Sequence, residues 1–578
     1  MCGVTTTGAI GATRPDPDIV AEVDPDDVDA GPSLRDRLVP PMPTDRAAAW
    51  LWALVVTSIA AILRFRNLGN PPQIVFDETY YAKDAYSLLR FGYERSVVSV
   101  ADGETPIDAQ ILAGRTDIFG DGPSYVVHPP IGKWMIALGE WIFGLTPFGW
   151  RFGVALAGSL SVLMLTFAAR RLFRSTLLGA VAGLLLALDG LAIVMSRTAL
   201  LDGLLAFWLI AAFACVLKDR DVGRLRLIER YEAARAAGTL TPGGPHVGVR
   251  WWRIAAGVCF GLATATKWSG LFVLAACGLL VVVWDISARK ALGLKRPYSA
   301  GVVYDGIPAF VSMVVVAVAA YLVSWTGWFL GNNGSAANSS HDRLWAAEQG
   351  DPVVLGWQLP DWLAWLAPDA LRSLWHYHSA AFGFHNSLNL TDSPHPYAAT
   401  AWRWLYLGRP TQFEFSDYTA SSSPAPTGVN GTPEATCGAA RCARDVVGLG
   451  TPAIWWAGCI ALVVLLALWL GRRDWRAATI LVLVGATWLP WLQWSDRPIF
   501  FFYSVAIVPF LVLAVTLVLG YVLGPPGADR RRRTWGAAIV GAYVLLVVLN
   551  TGYLYPVFAG EWIPYDGYSA RMWFQTWI

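Results

Sequence analysis

Residues 252–286 read WRIAAGVCFGLATATKWSGLFVLAACGLLVVVWDI, an apolar block interrupted in its middle only by Lys267-Trp268. A helix that crosses a bilayer needs about 20 apolar residues, so this block holds either one long span or two short ones. The choice fixes the side of the membrane on which every later loop lies. The positive charges in the rest of the chain decide it.

Apolar segments of spanning length recur along the whole chain. With the block divided in two, they are 48–65, 149–169, 175–194, 199–217, 252–267, 269–286, 307–330, 452–471, 477–494, 499–523 and 535–555. The connections at 170–174, 218–253, 287–297, 472–476 and 530–533 are rich in Arg and Lys, as cytoplasmic loops are. Eleven spans place all of these connections in the cytoplasm, whereas ten would send about half of them outside. The sequence therefore predicts an all-α polytopic membrane protein with about 11 transmembrane helices.

Composition excludes a soluble protein of this length. Of the 578 residues, 55% are hydrophobic and only 15% are charged. So few charged residues cannot cover the surface of soluble domains. The 30 Trp residues point the same way, because Trp gathers at membrane interfaces. The net charge of +2 gives no reason to expect a nucleic-acid partner.

The topology divides the chain into five parts. They are a disordered cytoplasmic tail (1–47), an N-terminal transmembrane module (48–330), a large extracytoplasmic loop (331–451), four C-terminal helices (452–555) and an extracytoplasmic C-terminal segment (556–578). A first outer loop, 66–148, lies within the N-terminal module. The tail is rich in Asp and Pro and has no apolar core before Trp50, so it is not a signal peptide. We expect a multi-pass protein of the plasma membrane.

The second outer loop contains a Pro/Gly/Ser-rich stretch, 421–445, that is expected to be flexible. Cys437 and Cys442 bracket four residues within it. They form a disulfide if the loop faces an oxidising compartment, and remain two thiols otherwise. No metal-ligand pattern is visible among the seven cysteines.

Two adjacent acids, Asp77 and Glu78, follow an apolar triplet just beyond the first span. A carboxylate near the bilayer surface experiences a low dielectric, which raises its pKa and suits a general base. Tyr80 and Tyr81 continue at helical spacing, so the pair begins a helix lying on the membrane. The other interpretation is an acid pair that offsets the dipole of this helix.

Several basic residues are predicted at the outer membrane edge, against the positive-inside trend. They are Arg151, Arg197, Lys267 and Arg497, together with Lys133 in the sequence His128-Pro129-Pro130-Ile131-Gly132-Lys133. Ionisable groups at such depth are usually functional, and Arg can bind a lipid phosphate through two nitrogens. The alternative to phosphate binding is that these are turn residues solvated by water or, for Lys133, that its long side chain extends to the membrane interface.

Four histidines lie within a short stretch of the second outer loop: His376, His378, His385 and His395. A metal site is disfavoured, because no Cys, Asp or Glu completes a ligand set at metal spacing. Contact with a sugar or an acceptor, and packing within the loop, both remain open.

Four ordered motifs together resemble the protein O-mannosyltransferases, GT-C enzymes that use polyprenol- or dolichol-phosphate-mannose. The motifs are FDETYYAKDA at 76–85, HPPIGK at 128–133, ATKWSGL at 265–271 and the block 375–410. The similarity extends from about residue 50 to the C-terminus. It implies eleven spans, an extracytoplasmic active site, and transfer of mannose to Ser or Thr hydroxyls of exported proteins, with the translocation machinery nearby.

The resemblance also implies roles for individual residues. Asp77 corresponds to the family's base in an inverting single displacement, and Glu78 to an acid that helps to hold the acceptor or sugar. Lys267 corresponds to the basic residue of the Lys-Trp motif. The cations named above would balance the charge of the leaving phosphate. The residues expected to contact acceptor or sugar are Tyr80, Tyr81, His128, His376, His378, His385 and His395.

Two departures from the family pattern narrow the assignment. The second outer loop has no room for the β-trefoil domain of eukaryotic members, which indicates the bacterial, actinobacterial branch. Val126-Val127 stands where eukaryotic members often have an acid, so no role of that acid carries over. No cofactor is expected, because a lipid phosphate is its own leaving group, and the sequence does not indicate a divalent cation.

Two other functions remain open at this point. One is a GT-C transferase with a different sugar or with a glycan or lipid acceptor. The other is a transporter or flippase, which the lack of a visible repeat and of mid-helix acids disfavours. A purely structural scaffold would not explain acids and cations gathered on one face.

Overall fold

The computed structural model of this chain describes residues 33–578 except 102–103, 332–342, 344, 349–352, 355–356, 359–367, 393, 422–436 and 526. Its helices are α1 (Leu34–Leu38), α2 (Arg46–Phe65), α3 (Glu78–Phe91), α4 (Ile107–Leu112), α5 (Ile131–Phe143), α6 (Pro147–Phe173), α7 (Thr176–Leu188), α8 (Gly190–Val194), α9 (Leu201–Ala236), α10 (Trp251–Thr264), α11 (Gly270–Ala291), α12 (Pro297–Ala300), α13 (Ile307–Ala309), α14 (Val316–Ser324), α15 (Thr326–Leu330), α16 (Asp369–Ser387), α17 (Pro452–Arg472), α18 (Trp475–Trp488), α19 (Val508–Leu523), α20 (Arg530–Ala559) and α21 (Tyr565–Ser569). Two π-helical stretches join α12, α13 and α14 into one continuous helix, Pro297–Ser324.

Short strands lie in the loops: β1 (Arg95–Val97), β2 (Phe119–Pro123), β3 (Val353–Val354), β4 (Trp357–Gln358), β5 (Thr411–Thr419), β6 (Arg441–Gly448) and β7 (Ile563–Pro564). They pair as β1-β2, β3-β4 and β5-β6-β7, all antiparallel. The fold is therefore a helical bundle with three small sheets on its loops.

Every predicted span coincides with a helical segment. Within the described residues, eight helices are long and apolar enough to cross a membrane: Arg46–Phe65, Pro147–Phe173, Leu201–Ala236, Gly270–Ala291, Pro297–Ser324, Pro452–Arg472, Trp475–Gln493 and Arg530–Ala559. The other three predicted spans are shorter or interrupted: α7 with α8, α10, and α19 preceded by a 3₁₀ turn, Phe501–Ala506. The multi-pass helical membrane fold is confirmed.

The apolar block 252–286 is two helices. α10 ends at Thr264 and α11 begins at Gly270, so Lys267 lies in the turn between them. Charge placement alone had required this division. The division matters for function because it puts Lys267 at helix ends, where it can reach other loops.

The span 175–194 is interrupted by Asp189, whose carboxylate is buried. Asp189 caps α8 by accepting a hydrogen bond from the Ala192 N–H at 2.9 Å. Its other oxygen accepts from Trp455 Nε1 at 2.8 Å and from the Thr451 N–H at 3.2 Å. This acid therefore connects helices and has no oxygen left for a transported ligand.

α6 and α9 form the centre of the bundle, and most of their residues are buried. The outer helix Pro297–Ser324 instead exposes large apolar side chains, among them Val302, Phe310 and Val318. A soluble protein rarely exposes a continuous apolar surface of this kind. The outer face of the bundle is therefore suited to lipid.

The chain's C-terminal segment is held against the second large loop. β7 pairs with β6, and Trp577 is buried and donates from Nε1 to the Leu407 carbonyl at 2.8 Å. Cys437 and Cys442 form a disulfide at the start of β6. Of the stretch expected to be flexible, 422–436 lies outside the described residues, whereas residues 441–445 belong to β6.

The predicted tail is described only from Ser33. Residues 33–47, expected to be disordered, instead contain α1 and the first residues of α2. Leu38 and Val39 are buried against Leu227, Ile228 and neighbouring apolar side chains. The apolar Leu-Val pair gives this short segment a surface to bury, which the Asp/Pro-rich residues before it lack.

Candidate active site

Glu78, the first residue of α3, is fully buried and both of its oxygens are occupied. Arg151 donates from Nε to Oε1 and from Nη2 to Oε2, each at 2.8 Å. The N–H groups of Ala199 and Val75 donate to the same carboxylate at 2.9 and 3.0 Å. Glu78 therefore holds the fold together in this structure, and the contact with an acceptor or a sugar predicted for it stays a prediction.

Arg151 is equally committed to the fold. Besides Glu78, it donates to the carbonyls of Pro71 and Gln73 at 2.9 Å, and to that of Leu68 at 3.4 Å. It is completely buried. In this structure its donors hold Glu78 and the backbone that leads into α3, so its predicted contact with the donor phosphate stays a prediction.

Asp77 is the N-terminal cap residue of α3, but its carboxylate makes no capping hydrogen bond. Among the described residues, no hydrogen bond or ion pair involves this carboxylate. Burial raises the pKa of Asp77 to about 6; the Lys267 ammonium counteracts this shift and the Asp202 carboxylate adds to it. An unpartnered carboxylate with this pKa can accept a proton near neutral pH.

The backbone just before Asp77 is in an unusual conformation. Phe76 has φ of 49°, in the left-handed region that bulky residues rarely adopt. Its ring is surrounded edge-to-face by Phe413, Phe500 and Phe502 at 5.3 to 5.7 Å. This aromatic cage holds the strained turn and so determines where the Asp77 carboxylate lies.

Lys267 is bound to Asp202, the second residue of α9. Its Nζ lies 2.8 and 2.9 Å from the two carboxylate oxygens and 3.9 Å from the centre of the Tyr503 ring. The ion pair is buried, so its charges are weakly screened and influence Asp77. The Lys267–Asp202 pair therefore joins the α10–α11 turn to α9, and its charges act on Asp77 at the start of α3.

A cavity of about 610 Å³ opens beside this point. Its walls are mostly apolar and come from α10, α11, α14, α16 and the segment after α18. The lining residues are His128, Thr264, Lys267, Trp268, Ser269, Leu271, Phe272, Leu274, Val314, Ala317, Val318, Tyr321, Trp375, His378, Phe382, His385, Asn386, Trp491, Trp494, Arg497 and Tyr503. Apolar walls built from membrane-spanning helices suit a hydrocarbon chain.

The polar end of the cavity contains Lys267, His128, His385 and Arg497. Arg497 Nη2 lies 3.0 Å from His385 Nδ1, and its buried Nε has no hydrogen-bond partner in the described part of the chain. Burial lowers the pKa of His128 well below its usual value, and burial with the nearby Arg497 lowers that of His385 to about 4. Both imidazoles are therefore neutral at pH 7, and Arg497 keeps its positive charge available for an anion.

The remaining predicted cations serve the fold. Lys133 is buried between Glu94 at 3.0 Å and Asp84 at 3.2 Å. Arg197 donates to five backbone carbonyls, among them those of Arg64 and Arg66 at the end of α2. Neither residue lines the cavity, so the structure places both apart from Arg497, and their phosphate contacts stay predictions.

The tyrosines and histidines predicted to contact acceptor or sugar also divide into residues near the cavity and residues that pack elsewhere. Tyr81 lies 6.2 Å from the His128 ring, and Asp77 is among the charges that act on its hydroxyl. His378 lines the cavity but is held by the Leu374 carbonyl and the Tyr321 hydroxyl.

Tyr81 and the other three predicted contacts do not line the cavity. Tyr80 is exposed. His376 stacks on Trp345 at 3.7 Å. His395 packs against Phe76 and Phe500, so it supports the aromatic cage.

Three contributors were missed by the sequence analysis: Asp202, Tyr503 and Trp268. A signal existed, since Asp202 and Lys267 are both ionisable residues at the same predicted membrane edge. Trp268 stands in the ATKWSGL motif, but no role was predicted for it, and Tyr503 gave no signal because single aromatic residues are frequent throughout this chain. In the described part of the chain, no three His, Cys, Asp or Glu side chains gather as metal ligands would.

Comparison with known sequences gives consistent matches. A family model described as dolichyl-phosphate-mannose-protein mannosyltransferase matches residues 124–329, and one described as the C-terminal four TMM region of protein-O-mannosyltransferase matches residues 370–577. Proteins named polyprenol-phosphate-mannose–protein mannosyltransferase from Mycolicibacterium smegmatis and Mycobacterium tuberculosis are 39% and 38% identical, over 93% of this chain and 94% and 93% of theirs. The protein of that name from Corynebacterium glutamicum is 33% identical over 93% of this chain and 96% of its own.

The fold also matches a solved structure. The Saccharomyces cerevisiae protein O-mannosyltransferase Pmt1–Pmt2 complex bound to the sugar donor aligns with a TM-score of 0.64 at 14% identity, covering 95% of this chain and 94% of the matched chain. At this identity the match establishes the architecture, which is the GT-C fold that the resemblance implied.

Proposed function

Since the chain belongs to the protein O-mannosyltransferase family, we propose that it transfers mannose from polyprenyl-phosphate-mannose to Ser or Thr hydroxyls of exported proteins. The observation that carries this proposal is the Asp77 carboxylate, which has no bonded partner among the described residues and interacts electrostatically with Lys267, a residue that lines the polar end of an apolar cavity. A lipid-linked sugar fits such a site, because it consists of a hydrocarbon chain, an anionic phosphate and a polar sugar.

The donor would lie with its prenyl chain along the apolar walls and its phosphate at Arg497. This guanidinium lines the cavity, and its buried Nε has no hydrogen-bond partner among the described residues. Arg suits a phosphate through its planar set of N–H groups. Lys267 adds positive charge at the same end, although Asp202 holds its ammonium in place.

The proposed chemistry is a single displacement with inversion. The acceptor oxygen forms a bond to the mannose anomeric carbon while the bond from that carbon to the phosphate oxygen breaks. The hydroxyl proton passes to the Asp77 carboxylate, and polyprenyl phosphate departs with its negative charge facing Arg497. The reaction needs no redox or nucleotide cofactor, because the phosphate is already bonded to the sugar.

We place the Asp77 end of the bundle outside the membrane, with loops 66–148 and 331–451, and the N-terminus in the cytoplasm. The Arg-rich connections at the opposite end support this orientation, as does the Cys437–Cys442 disulfide at the Asp77 end. The proposed location is the plasma membrane, where exported acceptors could be modified as they leave the translocation machinery.

The test is transfer by the purified full-length chain in nanodiscs. Polyprenyl phosphate carrying labelled mannose and a Thr-rich peptide should give a mannosyl-Thr product, whereas the lipid carrying glucose or aminoarabinose should give little. The Arg497→Gln variant should bind the mannosyl donor at least about tenfold more weakly, because a charged hydrogen bond is lost.

Arg115→Gln, which alters an exposed cation of the first loop, is the matched control and should behave as wild type. Efficient transfer of another sugar to the peptide, or transfer of mannose to a lipid in preference to the peptide, would overturn the proposed function.

A further inference from the structure

A second cavity, of about 310 Å³, lies at the other end of the bundle, and the proposed transfer does not use it. α9 begins beside Lys267 and continues to Arg220, which lines this cavity. At about 1.5 Å per residue, the helix from Asp202 to Arg220 is about 27 Å long. That length is close to the hydrocarbon thickness of a bilayer, about 30 Å, so the cavity lies at the level of the opposite headgroups.

The lining of this cavity is strongly cationic. It contains five arginines and one acid: Arg37, Arg174, Arg220, Arg224, Arg476 and Asp474. The acid is already neutralised. Asp474 accepts from Arg476 Nη2 at 2.7 Å and Nε at 3.0 Å, and from the Tyr521 hydroxyl at 2.8 Å. No acid of the lining is therefore left for the other four arginines, of which Arg174 pairs with Asp221, a residue that does not line the cavity.

The buried members of this group have unused hydrogen-bond donors. Arg220 and Arg224 are 5% and 8% exposed, and the Nε of each is buried without a hydrogen-bond partner in the described part of the chain. The buried Nη1 of Arg174 also has no hydrogen-bond partner in the described part of the chain. Asp221 lies 3.6 Å from Arg220, but it accepts hydrogen bonds from Arg171 and Arg174 at 2.6 Å. Buried donors without acceptors and like charges held together are both costly, and a bound anion would relieve both.

We propose that this arginine cavity binds a phosphate group, supplied by an anionic lipid headgroup or by free phosphate. Guanidinium groups match phosphate oxygens through paired N–H donors. The wall also carries Leu172 and Trp475, and Arg220 lies 3.6 Å over the Trp475 ring. This mixed wall suits a headgroup whose phosphate is followed by apolar carbon. The site is separate from the donor site, and its occupancy does not depend on the transfer reaction.

Binding can be measured on the full-length chain in detergent by native mass spectrometry and by the thermal shift that a bound probe produces. The probes are dioctanoyl phosphatidylglycerol, dioctanoylglycerol and inorganic phosphate. Phosphatidylglycerol should bind saturably and dioctanoylglycerol should not. A tighter complex with the lipid than with inorganic phosphate identifies the headgroup as the source, and equal affinities identify free phosphate.

The Arg220→Gln/Arg224→Gln double variant should weaken phosphate binding at least about tenfold. Arg37→Gln changes an exposed residue of the same cavity and should weaken phosphate binding by a smaller factor. Arg531→Gln, an exposed arginine at the same end of the bundle, is the control and should bind as wild type.

Phosphate binding that is undiminished in both the double variant and Arg37→Gln would overturn the proposal. So would the absence of saturable binding by either phosphate probe, since the counter-charge of the cavity would then have another source, such as the Asp-rich residues before Ser33.

Discussion

Asp77 and Glu78 are adjacent in sequence, yet their carboxylates differ in bonding. Among the described residues the Asp77 carboxylate has no hydrogen-bond partner, whereas the Glu78 carboxylate accepts four hydrogen bonds. The motif predicted a pair of acids at the membrane edge, and it predicted Asp77 as the base. It could not predict which acid Arg151 would bind, because Arg151 is 73 residues away and only packing brings it there. For the same reason Arg151, Lys133 and Arg197 looked equivalent to Arg497 in sequence and are not equivalent in the fold.

The Glu78→Ala change should destabilise the protein without a specific effect on the chemistry. It leaves the Arg151 guanidinium buried and unpaired, which costs about 3–5 kcal/mol. Thermal unfolding in detergent should show a clear decrease in midpoint temperature, and Glu78→Ala/Arg151→Met should recover part of it. Asp77→Asn is the matched control and should unfold as wild type. A Glu78→Ala protein that unfolds normally but has lost transfer would support the catalytic role predicted for Glu78.

The rate of transfer at saturating donor should fall at acid pH. Asp77 must be unprotonated to accept a proton, and its pKa of about 6 lies above the ordinary value for Asp. Activity is therefore complete above that pKa and decreases about tenfold per pH unit below it. Lys267→Met removes the charge that lowers this pKa and should move the acid limb to higher pH; Asp202→Asn should move it to lower pH. Two shifts in the same direction, or no shift in either variant, would contradict this assignment.

At the scale of elements, the positions of the helices could be predicted and their end contacts could not. Length, apolarity and flanking Arg and Lys located all eleven segments, including the division of 252–286. The sequence did not predict that Arg197 binds the carbonyl end of α2 and also the Ala559 carbonyl at the end of α20. Free carbonyls at a helix end attract a cation, but which cation reaches them depends on the tertiary fold.

The Arg197→Met variant should therefore be less stable by about 3 kcal/mol, because it leaves several buried carbonyls without donors. The measurement is thermal or denaturant unfolding of the purified protein. Arg66→Met is a suitable comparison, since Arg66 forms a mostly exposed ion pair with Glu561 at 3.3 Å and should contribute at most about 1 kcal/mol. If Arg197→Met kept full stability but bound the donor more weakly, the phosphate contact first predicted for Arg197 would be correct.

At the scale of the whole molecule, the bundle has two chemically distinct ends. The Asp77 end contains the polar part of the large cavity and lies with the sheet-bearing loops, whereas the opposite end contains dense Arg–Asp networks such as Arg250 and Arg253 with Asp219 and Asp285. Charge placement predicted this polarity from sequence. It could not predict that the C-terminal segment would join the second loop through β7, because two residues of strand carry too weak a pattern.

The orientation of these ends can be measured with thiol chemistry in whole cells. A Cys442→Ser variant frees Cys437, which should react with a membrane-impermeant maleimide from outside the cell. A cysteine introduced at Arg531, at the other end of the bundle, should react only after the membrane is permeabilised. The reverse pattern of labelling would place the proposed active site in the cytoplasm and would exclude transfer to proteins after export.

The most direct measurement is single-turnover transfer by Asp77→Asn, with donor occupancy determined in the same nanodisc sample. Among the described residues Asp77 has no bonded partner to lose, so folding and binding of polyprenyl-phosphate-mannose should remain as in wild type. The rate of mannosyl-peptide formation should fall at least about a hundredfold, because the acceptor proton has lost its base. A variant that carries bound donor and transfers mannose at the wild-type rate would show that Asp77 is not the base.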